Sequence, residues 1–283
     1  MDELNMDSQN LLMINVLGEG EDYRVVSFYN NRLTEVPKFI WKHKEMEILN
    51  LGGNEIKVVS KRIGGFQKLS MLDLGHNKIE KLPNEIGHLK SLNGFLYLSN
   101  NLLKELPNSI GNLKKLRYLN ATDNQLTELP LEIGKMKELV ELRFYNNKIT
   151  KLPKSMVDLS NLRELYLMNN ALGILPKKIG KLSALRILDL EKNEIEKLPE
   201  SIGDLKKIRI FNLRFNKIVS LPESIGKLTS LIHLDLRANR IKILPKSILK
   251  LKKLEKLDLR WNNNLEIPKW ISELEKRGCL VYF

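Results

Sequence analysis

One asparagine recurs along almost the whole chain: Asn31, Asn54, Asn77, Asn101, Asn124, Asn147, Asn170, Asn193, Asn216, Asn239 and Asn262. Nine of the ten intervals are 23 residues and one is 24. Around each the pattern reads LxLxxNxIxxLPxxIGxL, and Leu188, Leu190, Asn193, Ile195, Leu198, Pro199, Ile202, Gly203 and Leu205 show it in full. Proline is an independent check. All ten prolines fall six residues after a series Asn, and only the second repeat lacks one, with Ser60 in its place. Glycine recurs four residues later in seven of the eleven repeats, as at Gly64, Gly87 and Gly226. Such a unit is too short to bury its own apolar side. It must stack on copies of itself, and the chain is constrained to a solenoid.

The LxL segment has period two, so both leucines face one side. Stacking at 23 residues sets equivalent segments side by side as a parallel sheet whose leucines form one continuous core. Proline, with fixed φ and no N–H, suits the side away from the sheet. The IGxL segment then returns the chain across the back as a short helix or 3-10 turn.

These residues resemble the leucine-rich-repeat family in its 23-residue form, similar to Ras-group intracellular and bacterial leucine-rich-repeat proteins. The resemblance covers roughly residues 23–283. It implies an α/β solenoid, a right-handed arc with a concave parallel sheet of eleven or twelve short strands and helical or 3-10 segments on the convex side. It also implies that the asparagines form a ladder satisfying the backbone where each strand turns inward. The expected organisation is an acidic N-terminal cap segment over 1–22, eleven repeats over 23–268, and a C-terminal helix and closing strand over 269–283. The helix, near 269–277, is stopped by Gly278, and Leu280 to Phe283 form the strand. In the cap, the apolar run Leu11 to Leu17 is expected to cover the first repeat as a short helix or a strand.

Composition narrows the function classes. One cysteine, Cys279, rules out an internal disulfide framework and a Cys-based zinc cluster; it reads as a structural thiol. No apolar run approaches 18 residues, so no transmembrane helix is expected. Residues 1–22 hold six acids and no Lys or Arg, unlike a secretory signal. Together these favour the cytoplasm, with export lacking a cleavable signal peptide as the alternative. No phosphate loop, dinucleotide fingerprint or HExxH occurs. The chain is expected not to be an enzyme and to need no cofactor or metal.

The positions −6, −4, −2 and −1 from each series Asn are expected on the concave face, which at eleven strands is long enough for a standard protein interface. Those 44 positions hold six basic residues and eight acids, so the face carries −2 and the rest +15 of the net +13. The basic back reads as a solvated surface, or as a site for nucleic acid or anionic membrane; abundant Lys without interleaved aromatics disfavours nucleic acid. Phe95, Tyr97, Tyr118, Tyr145, Tyr166 and Met168 cluster over repeats four to seven, flanked by Arg143. Exposed tyrosines mark interface centres, although tyrosine also simply suits strands. Arg214, Arg237 and Arg260 share the −2 column, with Asp235 and Asp258 two residues before the last two. They form either a self-satisfied ion-pair ladder or a charged recognition strip edged by Phe215 and Trp261. The 24-residue interval adds one residue near Asn93-Gly94-Phe95, as a bulge or a tolerated insertion.

The functional expectation is a monomeric, non-catalytic protein-interaction module or signalling scaffold that binds a protein on its concave face. The resemblance adds a small GTPase or a phosphatase as partner classes. The alternatives are an exported bacterial factor that binds a host protein and polyanion binding through the basic convex side.

Overall fold

The computed structural model describes residues 3–14 and 22–283. Part of the apolar run Leu11 to Leu17 therefore lies outside the described residues; of the rest, Leu12 and Met13 are exposed. The chain forms two compact units, Met1–Asn147 and Lys148–Phe283.

Among the described residues the first unit contains seven strands: β1 (Glu3–Asn5), β2 (Val25–Ser27), β3 (Ile48–Asn50), β4 (Met71–Asp73), β5 (Phe95–Tyr97), β6 (Tyr118–Asn120) and β7 (Glu141–Arg143). Each pairs in parallel with the next. The second unit contains β8 (Glu164–Tyr166), β9 (Ile187–Asp189), β10 (Ile210–Asn212), β11 (His233–Asp235), β12 (Lys256–Asp258) and β13 (Leu280–Tyr282), again parallel and in chain order. No helix among the described residues is long and apolar enough to cross a membrane.

β1 is a strand that the repeat pattern does not announce. Residues 3–8 nonetheless imitate a repeat: Asn5 pairs with Ser27 in register, its side chain accepts the Asp7 N–H at 3.0 Å, and Ser8 turns with φ 57°. The Met6 carbonyl accepts the Asn31 amide at 2.8 Å, so the first series asparagine has a partner on its outer side.

Both strand leucines of a repeat, such as Leu72 and Leu74, are fully buried. The residue just before each series Asn adopts a left-handed conformation in all eleven repeats, with φ between 51° and 68°. This turns the chain off the sheet and aims the asparagine inward. Asn216 is representative. Its amide donates to the Leu190 carbonyl at 2.9 Å and to Leu213 at 3.0 Å, and its oxygen accepts the Ile195 N–H at 3.0 Å. The buried turn thus has no orphaned backbone group at this point.

Beyond the asparagine an extended run reaches the proline column. Pro83, for example, has φ −71° and ψ 151° and precedes the 3-10 segment Asn84–His88. In the second repeat Ser60 takes over, its hydroxyl accepting the Arg62 N–H at 3.3 Å. A five-residue piece is too short to nucleate an α-helix, and the tighter 3-10 turn fits. The α-helical turn among the described residues is Ser272–Glu275, which follows the 3-10 segment Lys269–Ile271 and precedes Gly278 at φ 87°.

The 24-residue interval is absorbed at exposed Asn93. The Gly94 N–H donates to the Ser70 carbonyl at 3.0 Å, and the Gly94 carbonyl accepts from Tyr118 N–H at 3.2 Å. β4 and β5 pair over Leu72↔Leu96 and Asp73↔Tyr97, and Phe95 stays in register with Tyr118.

Candidate interaction surface

The sheet face opposite the leucine core carries the side chains at −6, −4 and −2. In the first unit it brings Phe95, Tyr97 and Tyr118 together. Phe95 stacks on Tyr118 with ring centres 4.6 Å apart and on Tyr97 at 5.5 Å, and the Arg117 guanidinium lies 5.9 Å from the Tyr118 ring centre. All three rings are half-buried. They line a depression of about 230 Å³ together with Leu119, Asn120, Glu141 and Arg143. Glu141 and Arg143 pair with each other at its rim. Tyr145 is half-buried at the −2 position of the next repeat and is not part of the stack. Burial, with Asp73 nearby, pushes the Tyr97 phenol above its ordinary range.

Tyr166 and Met168 belong to the second unit, where the Tyr166 hydroxyl donates to Glu164 at 2.8 Å and Met168 is half-buried. The arginine column lies in the same unit, and its guanidinium groups are engaged. Arg214 pairs with Glu191, Arg237 with Asp235, and Arg260 with Asp258 at 2.7 Å. Arg237 also reaches Asp258 at 3.4 Å. Asp258 is fully buried between Arg237 and Arg260. Phe215 and Trp261 are exposed, stack at 6.0 Å, and have Arg214 and Arg260 against their rings. Both occupy the left-handed position, at φ 54° and 63°, which costs an aromatic residue about 1 kcal/mol.

A second regularity sits at −4. An Asn or Asp there accepts the N–H two residues on, as at Asn50 (3.0 Å), Asp73 (2.8 Å), Asn120 (3.1 Å), Asp189 (3.1 Å), Asn212 (3.1 Å) and Asp235 (3.1 Å). Each carboxylate keeps a second oxygen for another partner. Asp189 and Asp235 use theirs on Asn212 and Arg237. Asp73 has no cation within ion-pair distance among the described residues, and burial raises its carboxyl above the usual range. Its neighbours in the −2 column are Gly52 and Gly75, so no side chain covers it there. None of these three is among the anchors read from the sequence, although two successive glycines beside an acid were a visible signal.

Away from the sheet, Glu223, Lys246, Ser247, Leu249, Lys250 and Lys252 line a depression of about 500 Å³ in the second unit.

A family profile described as Leucine-rich repeat region matches residues 107–172, 158–235 and 202–280, and one described as Leucine Rich Repeat matches residues 68–89. No curated protein sequence matches significantly. Among solved structures, a leucine-rich-repeat protein of Leptospira interrogans is 32% identical, with 92% of this chain and 78% of that one covered and a TM-score of 0.67. The plant peptide hormone receptor RGFR1 in complex with RGF2 is 27% identical, with 84% of this chain covered and a TM-score of 0.76. This chain spans 40% of that receptor chain. The internalin InlF of Listeria monocytogenes shares the fold at 19% identity, over 100% of this chain and 86% of that one, with a TM-score of 0.71. The repeat spacing, the asparagine ladder and these matches agree, and the chain belongs to the leucine-rich-repeat family.

Proposed function

We propose that the chain is a non-catalytic protein-interaction module that holds a polypeptide partner on the outer sheet face of its first unit, with Phe95, Tyr97 and Tyr118 as anchors. The observation that carries this reading is the three-ring stack, half-exposed around a shallow depression with a polar rim. Stacked aromatic rings offer large contact area at low entropic cost, and hot spots concentrate in such places. The plant receptor was solved in complex with RGF2, which accords with a polypeptide ligand. The arginine column is a weaker candidate because its charges are met within the same face. Phe215 and Trp261 offer the second unit's own exposed aromatic contact.

The test is a paired capture at physiological salt, with the native chain, Tyr97→Ser/Tyr118→Ser, and Phe215→Ser/Trp261→Ser as baits. A protein held by the native chain and the last variant but lost by the first supports the proposal. Equal recovery on native and Tyr97→Ser/Tyr118→Ser sinks it.

A further inference from the structure

Asp73 and Asp258 hold the same place in their repeats, four residues before Asn77 and Asn262. Each accepts the N–H two residues ahead, from Gly75 at 2.8 Å and from Arg260 at 3.4 Å. Their surroundings differ at two defined positions. Asp258 is clasped by Arg260 in its own repeat and Arg237 in the preceding one. The residues equivalent to those two arginines around Asp73 are Gly75 and Gly52. The first unit thus has the carboxylate of the clasp and neither of its cations.

The glycines are not demanded by the backbone. Neither Gly52 nor Gly75 has a left-handed φ, unlike Gly53 at φ 68°. A Cβ at either would come within 3.1 Å of the Asp73 carboxyl, so a side chain there would crowd it. The same fold nevertheless seats Arg260 and Arg237 at the equivalent positions beside Asp258. With no side chain at either glycine, the −2 positions form a trough beside the Asp73 carboxyl, with the Ser99 hydroxyl oxygen 3.1 Å from where a Gly75 Cβ would be. Tyr97 lies opposite Asp73 in the strand register, and Phe95 stacks on Tyr97. On the other side Tyr29, exposed, lies 3.6 Å from where a Gly53 Cβ would be.

We propose that this trough receives an arginine side chain from the polypeptide partner, with Asp73 as its counter-ion and Tyr97 as the aromatic wall. The incoming guanidinium replaces the missing internal one. Arginine suits the place better than lysine because its planar fork matches a carboxylate and its face lies against an aromatic ring. The inference rests on the reading of the first unit's sheet face as the interaction surface, and it names what that face selects.

The experiment titrates the full chain, labelled with ¹⁵N-glycine, with N-acetyl-arginine amide and, separately, with its neutral isostere N-acetyl-citrulline amide. The amide signals of Gly52 and Gly75 are followed. Saturable shifts with the arginine probe are expected, at least about tenfold weaker with citrulline and in Asp73→Asn. That variant keeps the turn, because Asn50, Asn120 and Asn212 make the same bond at the same position. Absence of a saturable shift, an equal response to citrulline, or an unchanged response in Asp73→Asn overturns the proposal. If the arginine pocket fails while the Tyr97/Tyr118 pair still governs partner capture, the interaction surface stands and only its selectivity is refuted. If the probe binds but partner capture ignores the tyrosines, the surface reading falls alone.

Discussion

Asp73 and Asp258 share a register position and are driven in opposite directions by their surroundings. Burial tends to raise both carboxyls. At Asp258 the Arg260 hydrogen bond and the Arg237 charge outweigh burial and hold the group below the usual carboxylate range. At Asp73 burial outweighs the Gly75 N–H, and the group sits above that range. The consequences for stability have opposite sign. Asp258 stabilises the fold above its unfolded pKa, and that contribution is lost as pH falls through its depressed folded value. The contribution of Asp73 is fully present below its unfolded pKa and is lost as pH rises through its raised folded value. Asp258→Asn, which leaves the Arg260 guanidinium without its carboxylate and Arg237 with Asp235 alone, should cost about 2 kcal/mol at neutral pH. The deficit should shrink in acid. Asp73→Asn should instead stabilise by up to about 1 kcal/mol at neutral pH, with the gain vanishing in acid. Denaturant melts of both variants against native protein at neutral and acidic pH check this. Two deficits of the same sign at neutral pH would show that the glycine pair does not leave Asp73 electrostatically exposed.

At the scale of the repeat element, the glycine that recurs in seven of the eleven repeats, four residues after the proline column, is a packing device. A Cβ on Gly203 would sit 2.3 Å from the Ser224 carbonyl oxygen of the next repeat, and on Gly87 2.3 Å from that of Ser109. The 3-10 segments Glu200–Asp204 and Glu223–Lys227 therefore approach backbone to backbone, which only glycine allows. Gly203→Ala should force them apart and cost about 2–3 kcal/mol, read as a lower midpoint in urea. A change below about 0.5 kcal/mol would mean that the stack relaxes freely. Much of this was legible in the sequence, because strand leucines, asparagines, prolines and glycines each hold a column with one physical task. β1 was not, since Glu3-Leu4-Asn5 has no LxL signature and is a strand only because β2 offers it an edge. The left-handed residue before each asparagine was also hidden: Asn, Gly and Asp there advertise it, but Lys192, Phe215, Ala238 and Trp261 do not. At the candidate site the aromatic residues were legible as a cluster over repeats four to seven. Which rings touch was not, because the Phe95 stack depends on χ angles and on the register kept across the 24-residue interval. Asp73 was visible as an acid, but the pairing of the other face carboxylates, which sets it apart, exists only in three dimensions.

For the whole molecule the decisive contrast is between the near-neutral sheet face and the +15 carried elsewhere. Part of that charge is met between neighbouring repeats, where Lys78 pairs with Glu55 at 2.8 Å, Lys81 with Glu105 at 3.3 Å and Arg24 with Glu47 at 3.6 Å. Such exposed pairs are each worth little and leave a large basic surplus in solution. A surplus of this kind attracts any polyanion, so weak retention on heparin is expected and does not by itself identify a function. A binder built on six to ten phosphate contacts loses about 10³–10⁵ in affinity between 50 and 200 mM salt. Capture of a partner by stacked rings and one carboxylate should weaken far less. Reversing Lys246, Lys250 and Lys252 to Glu, around the depression in the second unit, should therefore lower heparin retention markedly and leave partner capture unchanged at physiological salt. Tyr97→Ser/Tyr118→Ser should do the reverse. If the lysine reversal abolishes partner capture and the tyrosine variant spares it, the basic side is the working surface, and the sheet face is reduced to the scaffold that displays it.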